Sequence, residues 1–346
     1  MRSDVEAAGW VTKVNLKPKA YNLKLKTVMT LEQLRTTADF VHRVLSPTPQ
    51  IRWPLLCQRT GVEVWVKQEN HLPVGAFKVR GGLVYIDELK RREPDITGVI
   101  AATRGNHGQS IAFAAAGAGL RAVIVVPHGN SAEKNAAMQA LGAELVVHGN
   151  DFQDALEYAA QTAEKEKLHF VPSFAEPLVR GVASYALELF DHLSDLDAVY
   201  VPIGMGSGAC GLIAARNALG LNTEIIGVCS AGAPAFALSF EAKRPVSTET
   251  VNTIADGMAC RVPDPDALQI IMNGLSRMVT VTDEEIRAAI RFLFADTHNV
   301  AEGAGAAPLA ALLKERTRMQ GRRVAIIQSG GNIDTDLFAN TLAAAS

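Results

Sequence analysis

The sequence predicts an α/β fold built mainly on parallel sheet. Three observations carry this. Apolar, β-branched runs recur along the chain. Several are continuous rather than alternating, which suits strands buried on both faces. Helix-periodic segments separate them. In chain order the strand candidates are 62–66 (VEVWV), 99–103 (VIAAT), 122–126 (AVIVV), 144–148 (ELVVH) and 169–171 (HFV). They continue with 198–203 (AVYVPI), 224–228 (EIIGV), 279–281 (VTV) and 324–328 (VAIIQ). The helix candidates between them are 79–91, 107–118, 151–167, 178–193, 283–297 and 304–320. Thr282-Asp-Glu-Glu285 reads as a capping box opening the fifth of these. The first ~45 residues show little pattern and read as an extension. Residues 243–266 are richer in Pro, Thr and Asp and break the rhythm, as a surface excursion or the lining of a cleft.

Composition bounds the function. At 346 residues the chain has room for two domains or one large one. With 48% hydrophobic and 20% charged residues it fills a large core, so wholesale disorder is excluded. A net charge of −2 gives no basic excess for nucleic acid and no solvating acidic tail. The N-terminus lacks an apolar secretory region, and no apolar run is long enough to span a membrane. Cysteines at 57, 210, 229 and 260 have no CxxC spacing and read as reduced thiols of a cytoplasmic protein.

Active sites of open parallel sheets gather at the carboxyl ends of strands. Four such ends carry unusual residues. The first is Gly204-Met205-Gly206-Ser207-Gly208-Ala-Cys-Gly211. Glycines let backbone N–H groups approach an anion at a helix start, so this is a phosphate site or else a tight packing turn. Gly206–Gly211 also fits GxGxxG, but the next strand ends at Ser230 without the ribose-binding acid. A phosphate monoester therefore fits better than a dinucleotide. The second end is Thr103-Arg104-Gly-Asn106-His107, whose hydroxyl, amide, imidazole and helix-start N–H groups suit a substrate carboxylate. Its alternative is a local helix cap. The third places Lys78 after Phe77 in an apolar, glycine-bearing stretch. A lysine in such a pocket has a lowered pKa and forms Schiff bases, though an exposed lysine is the commoner case. The fourth is Ser329-Gly-Gly-Asn332, an ordinary turn or a hydroxyl aimed into a cleft.

One cofactor unites a phosphate cradle, a Schiff-base lysine, an amide and a hydroxyl: pyridoxal 5′-phosphate. From about residue 45 to 340 the motifs resemble the fold-type-II, or β-family, pyridoxal-phosphate enzymes, most of all the serine/threonine dehydratase branch. The resemblance implies a tryptophan-synthase-β-like pair of domains with the cofactor in the cleft between them. Residues 1–79 plus 173–346 would form the large domain, and 80–172 a small mobile substrate domain. Ala76-Phe77-Lys78-Val-Arg80-Gly-Gly82 is similar to the family's SFKxRGA, with Ala76 in place of the serine. This implies Lys78 as the Schiff-base and catalytic lysine, with Phe77 beside the cofactor. Lys67-Gln-Glu69-Asn70 resembles the preceding KxE[ND] strand end. Asn106 is implied to meet the cofactor's 3′-oxygen, residues 204–208 its phosphate, and Ser329 its pyridine nitrogen.

The resemblance also implies the activity: dehydration and deamination of a β-hydroxy-α-amino acid, threonine or serine by default, to a 2-oxo acid and ammonia. A homodimer or larger homo-oligomer is implied as well. Three departures stand out. Arg104 replaces a small residue; it either grips a second carboxylate of a hydroxyaspartate-type substrate or pairs with a protein acid. Cys229-Ser-Ala-Gly-Ala-Pro-Ala235 lacks the carboxylate of the family's cation site, so no metal is expected. Gly181-Val-Ala-Ser184 replaces a GQGT turn, which implies different substrate contacts there. The chain end leaves no room for an appended regulatory domain, which is the expectation for an enzyme without amino-acid feedback. The rival readings are a β-elimination or β-replacement enzyme acting on another leaving group, and a non-catalytic amino-acid sensor.

Overall fold

The computed structural model describes residues 29–344. Ten strands form two sheets. They are β1 (Gln50–Arg52), β2 (Glu63–Gln68), β3 (Gly98–Ala102), β4 (Arg121–Val126) and β5 (Glu144–Val147), then β6 (His169–Phe170), β7 (Ala198–Pro202), β8 (Glu224–Ser230), β9 (Arg277–Val281) and β10 (Arg323–Gln328). The six-stranded sheet has the order β1-β2-β10-β7-β8-β9, and the four-stranded sheet β5-β4-β3-β6. Every pairing is parallel except the antiparallel edge pair β1–β2. The continuous apolar runs are the central strands: Ile100, Val125, Val199 and Ile326 are all buried to 0% exposure. Helices cover both faces, as parallel sheet requires.

The helix candidates correspond to Lys78–Arg92, Asn106–Gly117, Phe152–Glu166, Glu176–His192 and Asp283–Thr297. The Thr282 capping box is formed: its hydroxyl accepts from the Glu285 N–H at 3.2 Å and its own N–H donates to Glu285 Oε2 at 2.8 Å. The candidate at 304–320 is corrected to Gly303–Lys314. Beyond it the chain turns, reaching the left-handed Gly321, while Glu315 is drawn off by Arg277 and Tyr200.

The expected unpatterned extension is also corrected. Residues 1–28 lie outside the described residues, but Leu31–His42 is a helix. Thr30 and Gln33 close a capping box, and Leu34, Ala38 and Val41 bury one stripe of it. Helices Ala132–Ala140, Ala235–Ala242 and Pro265–Gly274 fill gaps where the sequence showed no clear period. The irregular stretch 243–266 brings Asp256, Gly257, Ala259 and Cys260 to a cleft.

Two helices cross closely behind that cleft. A Cβ at Gly81 would lie 2.6 Å from Leu178 O, and one at Gly181 would lie 2.4 Å from Arg80 O. Backbone meets backbone there, so only glycine fits at either position. The crossing fixes the start of Lys78–Arg92 against Glu176–His192.

Candidate active site

A cleft with a cavity of about 120 Å³ opens where β3, β7 and β10 end. It is lined by Lys78, Thr103, Arg104, Asn106, His107, residues 204–208 and Ser329, so the sequence-predicted site residues meet in one place. Phe77 lines it too.

Lys78 is the first residue of its helix. Its Nζ donates to Ser207 Oγ at 3.1 Å. Burial of the amine, with no carboxylate beside it, lowers its pKa to about 8. The segment before it is tied to the end of β10: Ala76 bridges Gly330, and the Phe77 N–H donates to Ser329 O at 3.0 Å. Phe77 packs edge-on against Tyr185, and the Tyr185 hydroxyl donates to Gly208 O at 2.9 Å. Lysine and glycine loop are thus set by shared contacts.

The glycine loop follows β7. A Cβ on Gly204 would fall 2.0 Å from Gly257 O, and Gly206 is left-handed at φ +95°. Both positions need glycine. Ser207 then opens helix Ser207–Ala218, whose first N–H groups have no side-chain cap. Uncapped N–H groups at the positive end of a helix form an anion site. Met205 and Ser207 leave that backbone cradle open.

After β3, the Thr103 hydroxyl accepts from the Gly105 and Gly108 N–H groups at 2.9 and 3.2 Å. Accepting both shapes the loop and leaves the hydroxyl proton to donate. Asn106 Nδ2 donates to Glu302 Oε1 at 2.7 Å, and its Oδ1 accepts from Asn332 Nδ2 at 2.8 Å. His107 is buried, its Nε2 has no hydrogen-bond partner, and burial together with nearby Lys78 lowers its pKa to about 3. It is therefore neutral at physiological pH. Ser329 directly follows β10 against the cleft and is almost fully buried. Arg104 lies on the cleft wall with Nε 3.7 Å from Asp256 Oδ1.

Beneath Lys78 lies a buried ionic cluster. Arg80 donates to Glu69 at 2.7 and 3.0 Å, to Glu188 at 2.5 and 3.0 Å, and to Ser184 Oγ at 3.0 Å. Lys67 Nζ donates to Glu188 at 2.5 Å and to Thr48 O at 2.8 Å. Burial alone would raise the Glu188 carboxyl, but Arg80 and Lys67 hold it below the usual carboxylate range. The KxE[ND] strand end and Ser184 serve this cluster, so Ser184 braces Arg80 rather than lining the cleft.

Glu302, Lys134 and Asp256 are cleft residues that the sequence did not single out. Glu302 is buried, and burial raises its carboxyl pKa above the usual range. Its one signal was a lone carboxylate in the apolar, glycine-bearing run 300–306. Lys134 and Asp256 pair at 2.9 Å across 122 positions of sequence, a juxtaposition only the fold creates.

These residues fit pyridoxal phosphate. An amine of lowered pKa adjoins an uncapped helix start in a glycine cradle that side chains would fill. The comparisons agree. The profile described as "Pyridoxal-phosphate dependent enzyme" matches residues 41–330. The chain is 34% identical over 312 residues to the L-threonine ammonia-lyase of Thermotoga maritima, covering 90% of this chain and 77% of that one. It is 33% identical to the biosynthetic L-threonine dehydratase of Pasteurella multocida, covering 85% of this chain but spanning only 58% of that protein's length. The processed threonine deaminase isoform 2 of Solanum lycopersicum superposes with TM-score 0.84 at 30% identity, covering 91% of this chain and 93% of that one. Sequence, fold and cleft converge, and the chain belongs to the fold-type-II pyridoxal-phosphate dependent enzymes.

Proposed function

We propose that the chain is a pyridoxal-phosphate-dependent lyase that dehydrates and deaminates a β-hydroxy-α-amino acid, releasing a 2-oxo acid and ammonia. The observation that carries this is Lys78, an amine lowered to about 8, hydrogen-bonded to Ser207 at the open end of the phosphate-type helix. When bound, the cofactor supplies an aldehyde for that amine and an electron-withdrawing ring that acidifies the substrate Cα–H.

The protein's own residues do the rest. At neutral pH a working fraction of Lys78 is neutral, so its Nζ accepts the Cα proton. Ser207 Oγ orients that nitrogen. Gly105 offers no side chain to cap Asn106–Gly117, and the Asn106 and His107 N–H groups receive the substrate α-carboxylate. Neutral His107 contributes a hydrogen bond there without a charge. Asn106, fixed by Glu302 and Asn332, would hold the cofactor's 3′-oxygen. Ser329 would meet the ring nitrogen with a hydroxyl rather than a carboxylate, and so would not hold it protonated, which suits elimination.

Residues 80–172 act in this reading as the mobile small domain. Lys134–Asp256 at 2.9 Å and Arg261–Asp151 at 3.0 Å link the two sides of the cleft, and closing it keeps water from the reacting atoms. The reading extends to a cytoplasmic homo-oligomer. Four unpaired thiols fit a reducing compartment, and exposed Ile51 and Leu55 offer apolar surface at one sheet edge.

The test is 2-oxo acid release from cofactor-saturated enzyme. The panel holds threonine, serine, both 3-hydroxyaspartate diastereomers and a bulky β-hydroxy amino acid. Release from at least one is expected. Silence across the panel, with the cofactor covalently bound, overturns the proposal.

A further inference from the structure

Arg104, Lys134 and Asp256 meet on the cleft wall from three separate parts of the chain. Arg104 sits in the turn after β3, Lys134 on helix Ala132–Ala140, and Asp256 in the single turn Asp256–Met258. Asp256 is already committed, since its Oδ2 accepts from Lys134 Nζ at 2.9 Å. Its other oxygen stays 3.7 Å from Arg104 Nε, beyond hydrogen-bond reach.

Arg104 is therefore unlike arginines paired elsewhere in the fold. Arg59 meets Asp296 at 2.6 and 2.8 Å, Arg80 meets Glu69 at 2.7 Å, and Arg277 meets Glu224 at 2.6 Å. Arg104 makes no hydrogen bond among the described residues, and its Nε is buried without a partner. A guanidinium carries five donors in a fork matched to a carboxylate, and leaving a buried one unmade is costly. Asp256 gives its short contact to Lys134, which Glu302 also faces, so Arg104 keeps only the loose one and its donors remain available to a ligand. The other carboxylate of the cleft, Glu302, is engaged by Asn106.

We propose that Arg104 receives a second, distal carboxylate of the substrate, so that the preferred substrate class is a β-hydroxy-α-amino dicarboxylic acid, with 3-hydroxyaspartate its simplest member. The assignment of the reaction rests on the dehydratase reading above; the carboxylate site does not. In that reading the α-carboxylate goes instead to the Asn106 and His107 N–H groups, which Gly105 leaves uncapped. An arriving distal carboxylate displaces only the loose 3.7 Å contact, and Asp256 keeps its bond to Lys134.

The experiment compares holoenzyme with Arg104→Ser and Arg104→Lys. The first measurement is the ratio of kcat/KM for each 3-hydroxyaspartate diastereomer over threonine. The second is calorimetric titration with succinate and with propionate, which needs no turnover. Wild type is expected to favour one diastereomer over threonine by about 100-fold, the scale of a charge-assisted bidentate contact. Arg104→Ser collapses that ratio by a similar factor, and Arg104→Lys restores part of it. Succinate binds wild type more tightly than propionate does, and the preference disappears in Arg104→Ser.

Three results overturn the proposal. Wild type preferring threonine is one. An equal loss on both substrate types in Arg104→Ser is another, since it assigns Arg104 to the α-carboxylate. Succinate binding no better than propionate is the third. If no substrate yields a 2-oxo acid while succinate still binds through Arg104, the carboxylate site stands and the dehydratase reading falls.

Discussion

Asn106 Nδ2 donates to Glu302 Oε1 at 2.7 Å, joining residues 196 positions apart. With Asn332 Nδ2 on its Oδ1 at 2.8 Å, the Asn106 amide has one orientation only. Glu302→Ala removes the acceptor and leaves a polar amide unpaired, at a cost of about 1–3 kcal/mol. The expected outcome is faster cofactor loss and a lowered Tm, with Glu302→Gln closer to wild type in both. Cofactor off-rates and thermal melts check this.

Glu302 also has a pH signature. Burial raises its carboxyl above the ordinary carboxylate range, so the folded state binds the proton more tightly than the unfolded chain. Its contribution is present at low pH and is lost as pH rises through that raised value. Glu302→Gln removes the dependence, so the difference in unfolding free energy between variant and wild type grows with pH across this window. Urea titrations at several pH values read it.

Lys78 has the opposite dependence. Its folded pKa, about 8, lies below the ordinary lysine value of 10.5. Below pH 8 the fold carries a desolvated ammonium at a cost on the order of 3 kcal/mol. That cost fades as pH rises from 8 to 10.5. Lys78→Met apoprotein is expected to be more stable than wild-type apoprotein at pH 7, with the advantage shrinking toward pH 10.5.

Gly204→Ala sets a Cβ 2.0 Å from Gly257 O. Backbone stands on both sides, so one segment must move, at about 1–3 kcal/mol. Cofactor affinity is expected to fall about tenfold or more, with the fold otherwise intact by circular dichroism.

Arg80 is the cation between Glu69 and Glu188. Arg80→Ala leaves buried Glu69 without its cation and Glu188 to Lys67, and is expected to cost about 3–5 kcal/mol. Wild-type stability itself falls on acidification, because the Glu188 carboxyl is held below its unfolded value. Its contribution is present above the unfolded carboxylate value and is lost as pH falls through the folded one. Denaturant unfolding of wild type and Arg80→Ala measures both.

The sequence reveals these features unevenly, for physical reasons. Strands such as Arg121–Val126 stand out because burial on both faces demands unbroken apolar runs. Lys78, Asn106, the 204–208 loop and Ser329 stand out because strand ends that bind anions need glycine and small polar residues in short order. Helix Leu31–His42 left a signal in Thr30-Leu-Glu-Gln33 that was weak against its unpatterned flank. Lys134, Asp256 and Glu302 left almost none. Each is a single charge in ordinary surroundings, and only the packing of the two sheets brings them together. Ser184 shows the same limit from the other side: its motif position pointed to substrate, but the crossing at Gly81 and Gly181 turns it onto Arg80.

The central claim is that Lys78 carries the cofactor, and the direct measurement is borohydride reduction of the holoenzyme followed by peptide mass spectrometry. The account predicts a pyridoxyl label on Lys78 alone, absent in Lys78→Ala together with 2-oxo acid release. A label on another lysine, or undiminished release from Lys78→Ala, would contradict it.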